Sequence, residues 1–259
     1  MATAGTSYPY PAKASDEVLR LIAEIDEFKG GWQALKSLSA DRLAALRHIA
    51  TIESIRSSTR IEGVKLTDRQ IQTLISNLAG DSPVPGAQEV AGYAEAVNSL
   101  FEFREEFPIT ENYLKQLHAR ILRFSTKDEH HRGCYKQAPN RVMAYDREGM
   151  QNGFIFQTAS PLETPMKMAE LVEWTSQALE QRVFHPLLVI AVFVVRFLAI
   201  HPFQDGNGRL SRILTPLLML RCGYGYVPYA SLEVIIEENN DLYYAALRRT
   251  QTSFNTTNP

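Results

Sequence analysis

Residues 187 to 212 constrain this chain more than any other stretch. From Leu187 to Ile200 every position is apolar except Arg196. The run is too short to span a bilayer, which takes about 20 residues. A helix apolar on all sides must lie at the centre of a folded domain, so the run reads as the buried central helix of a soluble protein. Residues 201–212 follow at once: His-Pro-Phe-Gln-Asp-Gly-Asn-Gly-Arg-Leu-Ser-Arg. Gly206 and Gly208 let backbone N–H groups close around an anion, and a helix beginning just after them aims its positive dipole end at that anion. Arg209 and Arg212, three apart on one helical face, can grip successive phosphates. Asp205 offers the hard oxygen that a phosphate-bridging Mg²⁺ prefers. His201 is the one side chain type that titrates near neutral pH unperturbed. A plain turn between core helices asks for none of these residues in this order.

The run also resembles a known signature, His-Pro-Phe-x-(Asp/Glu)-Gly-Asn-Gly-Arg-x-x-Arg, that of the Fic family. His201, Pro202, Phe203, Asp205, Gly206, Asn207, Gly208, Arg209 and Arg212 meet all its fixed positions. The resemblance implies a Mg²⁺-dependent protein adenylyltransferase. It would move AMP from ATP to a Ser, Thr or Tyr hydroxyl of a target protein, and to itself. On that reading His201 is the catalytic base and Asp205 holds Mg²⁺ between the α- and β-phosphates. Backbone N–H groups at Gly206, Asn207 and Gly208 cradle phosphates, with a further contact from the Asn207 side chain. Arg209 serves the β-phosphate and Arg212 the γ-phosphate, while Phe203 anchors the loop. Relatives that phosphorylate tend to carry a lysine at the position of Gly208, so Gly208 argues for AMP transfer. Tyr243 and Tyr244 are candidates for the adenine pocket.

A second motif bears on the first. Residues 57–63 read Ser-Ser-Thr-Arg-Ile-Glu-Gly, and Ser58, Glu62 and Gly63 fill the family's inhibitory pattern (Ser/Thr)-x-x-x-Glu-(Gly/Asn). Independently of the resemblance, Glu62 falls in the last turn of a predicted helix with Gly63 as its C′ residue. A carboxylate there meets the negative end of the dipole, at a cost of about 0.3–1 kcal/mol that a cationic partner would offset. The family supplies Arg212 as that partner. An ion pair between the two would occupy the arginine needed by the γ-phosphate and hold the enzyme off.

Most of the chain carries helical periodicity. Ser15 with Asp16 and Glu17 opens a helix that the pair Gly30-Gly31 ends, and another starts near Ser39 and runs through Leu43, Leu46, Ile49 and Ile52. Thr67 and Thr110 cap further helices. Residues 79–86 form a Gly- and Pro-rich break. Later helices are expected over 164–179, 186–200, 210–221 and 239–249. The exception is 133–158, where 140–144 and 154–157 are short β-prone runs around a polar loop, a hairpin signal. The fold class is therefore mainly α, a Fic-like helical bundle with one β-hairpin flap. It divides into an N-terminal helical segment (1–50), a core (51–250) holding the inhibitory motif (58–63), flap (138–158) and signature loop (201–212), and a polar tail (251–259). By the resemblance the flap docks the target by strand addition through Asn140, Arg141, Val142, Phe154, Ile155 and Phe156. Gly133-x-Tyr135-Lys136 and Ala159-Ser160-Pro161 resemble lesser landmarks of the family. Many relatives show Arg where this chain has Lys136, and often a double proline at 160–161.

Composition narrows the partners. A net charge of −2 over 259 residues supplies no general pull towards nucleic acid or anionic membrane, and no basic recognition helix is visible. Cys134 and Cys222 lack metal or redox spacing and suit a reducing, cytoplasmic compartment. Histidines other than His201 lack ligand spacing and read as structural or solvent-facing. Dimerisation is common among relatives, so a homodimer is an expectation. Two rival functions use the same residues. One is removal of AMP from modified proteins, with Glu62 orienting water. The other is nucleotide sensing without turnover.

Overall fold

The structure, a computed structural model, describes residues 14–34, 39–64, 66–77, 88–100, 108–145, 151–182 and 184–253, with 34, 99–100, 141–145, 151–157 and 253 as backbone only. The elements in chain order are α1 (Asp16–Ala34), α2 (Ala40–Ile61), α3 (Asp68–Ser76), α4 (Gln88–Leu100), α5 (Glu111–Ile121), β1 (Arg141–Tyr145), β2 (Gln151–Gln157), α6 (Thr164–Gln181), α7 (Pro186–Ile200), α8 (Asn207–Arg221), a 3₁₀ turn (Val227–Tyr229), α9 (Leu232–Glu238) and α10 (Asn240–Ser253). The protein is mainly helical. β1 and β2 pair antiparallel, Arg141 opposite Gln157 and Tyr145 opposite Gln151. The expected break at 79–86 and most of the polar tail lie outside the described residues.

Local chemistry explains the helix ends. Ser39, Thr67, Thr110 and Ser231 each accept a hydrogen bond from a first-turn N–H, and Thr67 with Gln70 completes a capping box. Helix α2 ends on Glu62, and Gly63 takes φ +86. The Gly63 N–H donates to the Arg60 carbonyl and the Val64 N–H to the Thr59 carbonyl, both at 2.9 Å. This is a Schellman stop, which favours glycine at C′ because φ is positive.

The core is built around α7 and α8. Phe193 and Phe197 of α7, with Leu210, Ile213, Leu214, Leu217 and Leu218 of α8, are buried almost completely. Helix α7 packs between α6 and α8, and α4 and α5 flank α8. Gly92 lets α4 approach α5, since a Cβ there would lie 2.0 Å from the Ile121 carbonyl oxygen. No helix among the described residues is long and apolar enough to cross a membrane.

Three boundaries depart from the sequence reading. Helix α1 continues through Gly30 and Gly31 to Ala34, because Phe28 and Trp32 pack against Tyr226 and Trp32 against Tyr229. That aromatic cluster offsets the cost of helical glycine, about 1 kcal/mol each. Helix α8 begins at Asn207 and not at Leu210, since Gly206 in the left-handed region is its N-cap. Helix α9 is a separate element that its seven residues were too few to announce by periodicity. In addition, Leu46 and Ile49, read as an apolar face of α2, are exposed.

Candidate active site

The C-terminus of α7 and the N-terminus of α8 meet across residues 201–206. His201 is the C-cap of α7 and takes the left-handed conformation φ 52, ψ 60, unusual for a residue with a Cβ. Its N–H donates to the Phe197 carbonyl at 2.9 Å. Its Nδ1 lies 3.2 Å from the Leu198 carbonyl oxygen, an acceptor only, so Nδ1 carries the proton. Nε2 of the neutral ring then keeps its lone pair. Burial depresses the imidazole pKa to about 4, helped by the Lys136 charge and opposed by the Leu198 carbonyl, Asp205 and Glu62. The ring therefore stands ready as a base at neutral pH.

The loop is clamped from within. Asn207 is almost wholly buried; its Nδ2 donates to the Phe203 carbonyl at 2.8 Å and its Oδ1 accepts from the Phe203 N–H at 2.9 Å. One hydrogen of Nδ2 and one lone pair of Oδ1 are thereby committed to holding the loop. Residue 207 also offers an anion its backbone N–H. In the first turn of α8 the N–H groups of Asn207, Gly208 and Arg209 have no helical acceptor and face a site for negative charge.

Charged groups surround that turn. Asp205 accepts from the Gly206 N–H at 2.7 Å and from Arg209 Nη2 at 3.1 Å, and Lys127 stands 3.9 Å away. Burial works against its charge, but Arg209, the Gly206 N–H and Lys127 together hold the carboxyl below its ordinary value. Arg209 also reaches Glu89 Oε2 at 3.3 Å. One ionised, part-exposed carboxylate suits a Mg²⁺ ion that keeps several waters and takes its other ligands from substrate phosphates.

Arg212 does not point into open space. Its Nε donates to Ser58 Oγ at 2.9 Å and its Nη2 to Glu62 Oε1 at 2.5 Å. Burial opposes the guanidinium charge, and the Glu62 carboxylate more than restores it. Gly208 makes room for this pair, since a Cβ there would stand 3.0 Å from Glu62 Oε1 and 3.3 Å from Arg212 Nη1. Residues 58–63 and 201–212, far apart in sequence, thus share one site.

A family model for the Fic/DOC family matches residues 108–219. A Fic family protein from Desulfovibrio desulfuricans superposes with a TM-score of 0.72 at 25% identity, over 94% of this chain and 69% of that one. A Fic domain containing signaling protein from Bacteroides thetaiotaomicron gives 0.64 at 24% identity, over 89% and 94%. Residues 108–219 belong to the Fic/DOC family. Among curated relatives, Protein adenylyltransferase Fic of Aedes aegypti is 26% identical over 222 residues, 83% of this chain and 40% of that protein. Protein adenylyltransferase and cysteine protease IbpA of Histophilus somni is 24% identical over 165 residues, 60% of this chain and 4% of that protein. The chain thus spans well under half the length of these curated relatives.

His201, Asp205, Gly206, Asn207, Gly208, Arg209, Arg212, Ser58, Glu62 and Gly63 lie together around the start of α8. Tyr243 and Tyr244 meet edge to face, 5.5 Å between centroids, and both lie within reach of the Arg212 charge. They therefore stand at the Arg212 end of the site. The Asn140 side chain turns inward: its Nδ2 donates to the Phe203 carbonyl at 2.8 Å and the His201 carbonyl at 3.3 Å. The side chains of Arg141, Val142, Phe154, Ile155 and Phe156 lie outside the described residues.

The sequence reading missed three contributors. His118 bonds the Asp205 carbonyl and stacks on Phe203. Glu89 holds Arg209 and Lys127. Lys136, noted only as a departure from relatives, lies buried beneath His201.

Proposed function

We propose that this chain is a protein adenylyltransferase that moves AMP from ATP to a hydroxyl side chain of a target protein, and that Glu62 holds it off. The observation that carries the reading is the state of His201. Nδ1 is tied to the Leu198 carbonyl, Nε2 is free to accept a proton, and the ring adjoins the anion-binding start of α8. Target hydroxyl oxygen attacks the α-phosphorus, the bond from that phosphorus to the bridging oxygen breaks, and pyrophosphate leaves. The hydroxyl proton passes to His201 Nε2. General-base help of this kind is worth about 10²–10⁴-fold.

The first-turn N–H groups of α8 and Arg209 hold the phosphates in line. Asp205 is the residue that would hold Mg²⁺, which when bound supplies positive charge to the α- and β-phosphates. Tyr243 and Tyr244 contribute to the nucleotide pocket. The hairpin of β1 and β2 is the flap against which a target backbone aligns as an added strand. Arg212 is the γ-phosphate ligand, and its pairing with Glu62 is the brake. ATP then binds with its terminal phosphate unanchored and its α-phosphorus out of line.

The test compares wild type, Glu62→Gly and His201→Ala with α-labelled ATP and Mg²⁺, read by intact mass on the protein and on candidate targets. Gain of an AMP-sized mass only in Glu62→Gly supports both transfer and brake. An unmodified Glu62→Gly protein that still binds ATP would overturn the transfer reading and favour AMP removal, which a pre-modified substrate would reveal.

A further inference from the structure

His201 sits in a backbone conformation that costs roughly 1 kcal/mol or more for a residue with a side chain, so its surroundings must hold it there. Residue 136 holds it from both sides. Lys136 Nζ donates to the carbonyl of Ile200, the peptide group preceding His201, at 2.9 Å. The Lys136 backbone N–H donates to the carbonyl of Pro202, the residue following it, at 2.8 Å. The ammonium also donates to Asn140 Oδ1 at 2.8 Å and to Thr158 Oγ1 at 3.0 Å. Asn140, so fixed, donates in turn to the carbonyls of His201 and Phe203.

The charge of Lys136 is not explained by stability. The residue is 3% exposed, its three ammonium hydrogens all go to neutral oxygens, and among the described residues no carboxylate pairs with it. A buried cation of that kind is costly, and an apolar side chain of similar volume is commonly as stable or more so. Burial pushes the ammonium pKa down to about 8, with Glu163 acting to raise it and Lys167 to lower it, both from the start of α6. The charge does act on the His201 imidazole, where it opposes protonation against Asp205 and Glu62, which favour it.

We propose that Lys136 is the positioning residue for His201: it holds the carbonyls of Ile200 and Pro202, the residues on either side of that histidine, and its buried charge adds to burial in keeping the imidazole fit to accept a proton. The proposal rests on the reading of His201 as the base.

The experiment uses the full chain in a Glu62→Gly background, with Lys136→Met, Lys136→Gln and Lys136→Arg compared. Histidine Cε1 is ¹³C-labelled and His201 assigned by its loss in His201→Gln, so its titration is read without any turnover. Lys136→Met raises the His201 midpoint by about one unit or more and lowers kcat about tenfold or more, with KM for ATP changed far less. The acid limb of the transfer rate moves to higher pH with the midpoint. Lys136→Arg keeps charge and donors and restores both readouts. Lys136→Gln keeps a donor without the charge, so its midpoint moves as in the Met variant; it serves if that variant does not fold.

An unmoved midpoint in both uncharged variants, or an Arg variant as impaired as Met in both readouts, overturns the proposal and leaves Lys136 as packing. A moved midpoint in a Glu62→Gly protein that transfers no AMP would show that Lys136 acts on the His201 imidazole and that the reading of His201 as the base is what fails.

Discussion

The His118 imidazole lies flat against the Phe203 ring, with centroids 3.8 Å apart and planes 9° from parallel. The same imidazole accepts from the Gly133 N–H at Nδ1, 2.9 Å, so its Nε2 carries the proton and donates to the Asp205 carbonyl at 3.0 Å. One buried side chain therefore fixes Phe203 by stacking and Asp205 by its backbone. His118→Leu leaves the Gly133 N–H and the Asp205 carbonyl unpaired, which costs about 1–3 kcal/mol per buried group. Denaturant unfolding should show that loss. In the Glu62→Gly background transfer should fall by about tenfold or more and need more Mg²⁺, because Asp205 is no longer aimed. An unchanged Mg²⁺ dependence would separate His118 from the Asp205 site.

Gly92 is a position where one methyl group cannot be accommodated. A Cβ would lie 2.0 Å from the Ile121 carbonyl oxygen and 2.8 Å from its carbonyl carbon, and both are backbone atoms that cannot swing aside. Gly92→Ala gains helix propensity of about 1 kcal/mol in α4, yet must force α4 and α5 apart. The net expected effect is destabilisation by about 3 kcal/mol or more, read from the unfolding midpoint. A neutral or stabilised variant would mean that the helices are not packed this closely.

Much of the site was legible because its chemistry is contiguous. His201 to Arg212 is a single run whose residue types and spacing make sense together, and Glu62 betrayed itself as an acid at the wrong end of a helix. His118, Lys136 and Glu89 carry no such local mark. Each is one polar residue in an ordinary stretch, and its role exists only through contacts 64 to 120 residues away. The loop-clamping bonds of the Asn207 and Asn140 side chains were not foreseen, since spacing cannot tell an amide that faces a ligand from one that clamps its own loop. In the fold, capped and periodic helices were readable. The glycines of α1 misled because Trp32 and Tyr226, which hold that helix together, meet only in three dimensions.

Tyr93 and Glu233 form a buried polar contact behind the Arg212 pair. The Tyr93 hydroxyl donates to Glu233 Oε1 at 3.2 Å, and Ser231 Oγ donates to Oε2 at 3.1 Å. Glu233 is 4% exposed, so water cannot replace a lost donor there. Tyr93→Phe should destabilise by about 1–3 kcal/mol. In Tyr93→Phe with Glu233→Met the two costs should be less than additive, because the second change removes the group the first left unpaired. Strict additivity in that double-mutant cycle would show that the two side chains do not interact in solution.

Stability should fall in mild acid for a reason that belongs to two histidines, the buried His118 and the half-buried His201. Burial depresses His118 and His201 to about 4 from an ordinary value near 6.5. Below pH 6.5 the unfolded chain takes up protons that the folded chain refuses, so the folded state loses stability as pH drops and the loss levels off near pH 4. For the fully buried His118 this amounts to about 3 kcal/mol across that window. Asp205 and Asp26, whose folded pKa values lie below the ordinary carboxylate range, act later. Their contribution is present above pH 4 and is lost as pH falls through the folded values. Urea midpoints at pH 7, 5.5 and 4.5 should therefore decline steadily, and His118→Gln, with no ring to protonate, should show a shallower decline from a lower start. A wild-type midpoint that stays level from pH 7 to 4.5 would mean that neither histidine is kept neutral by the fold.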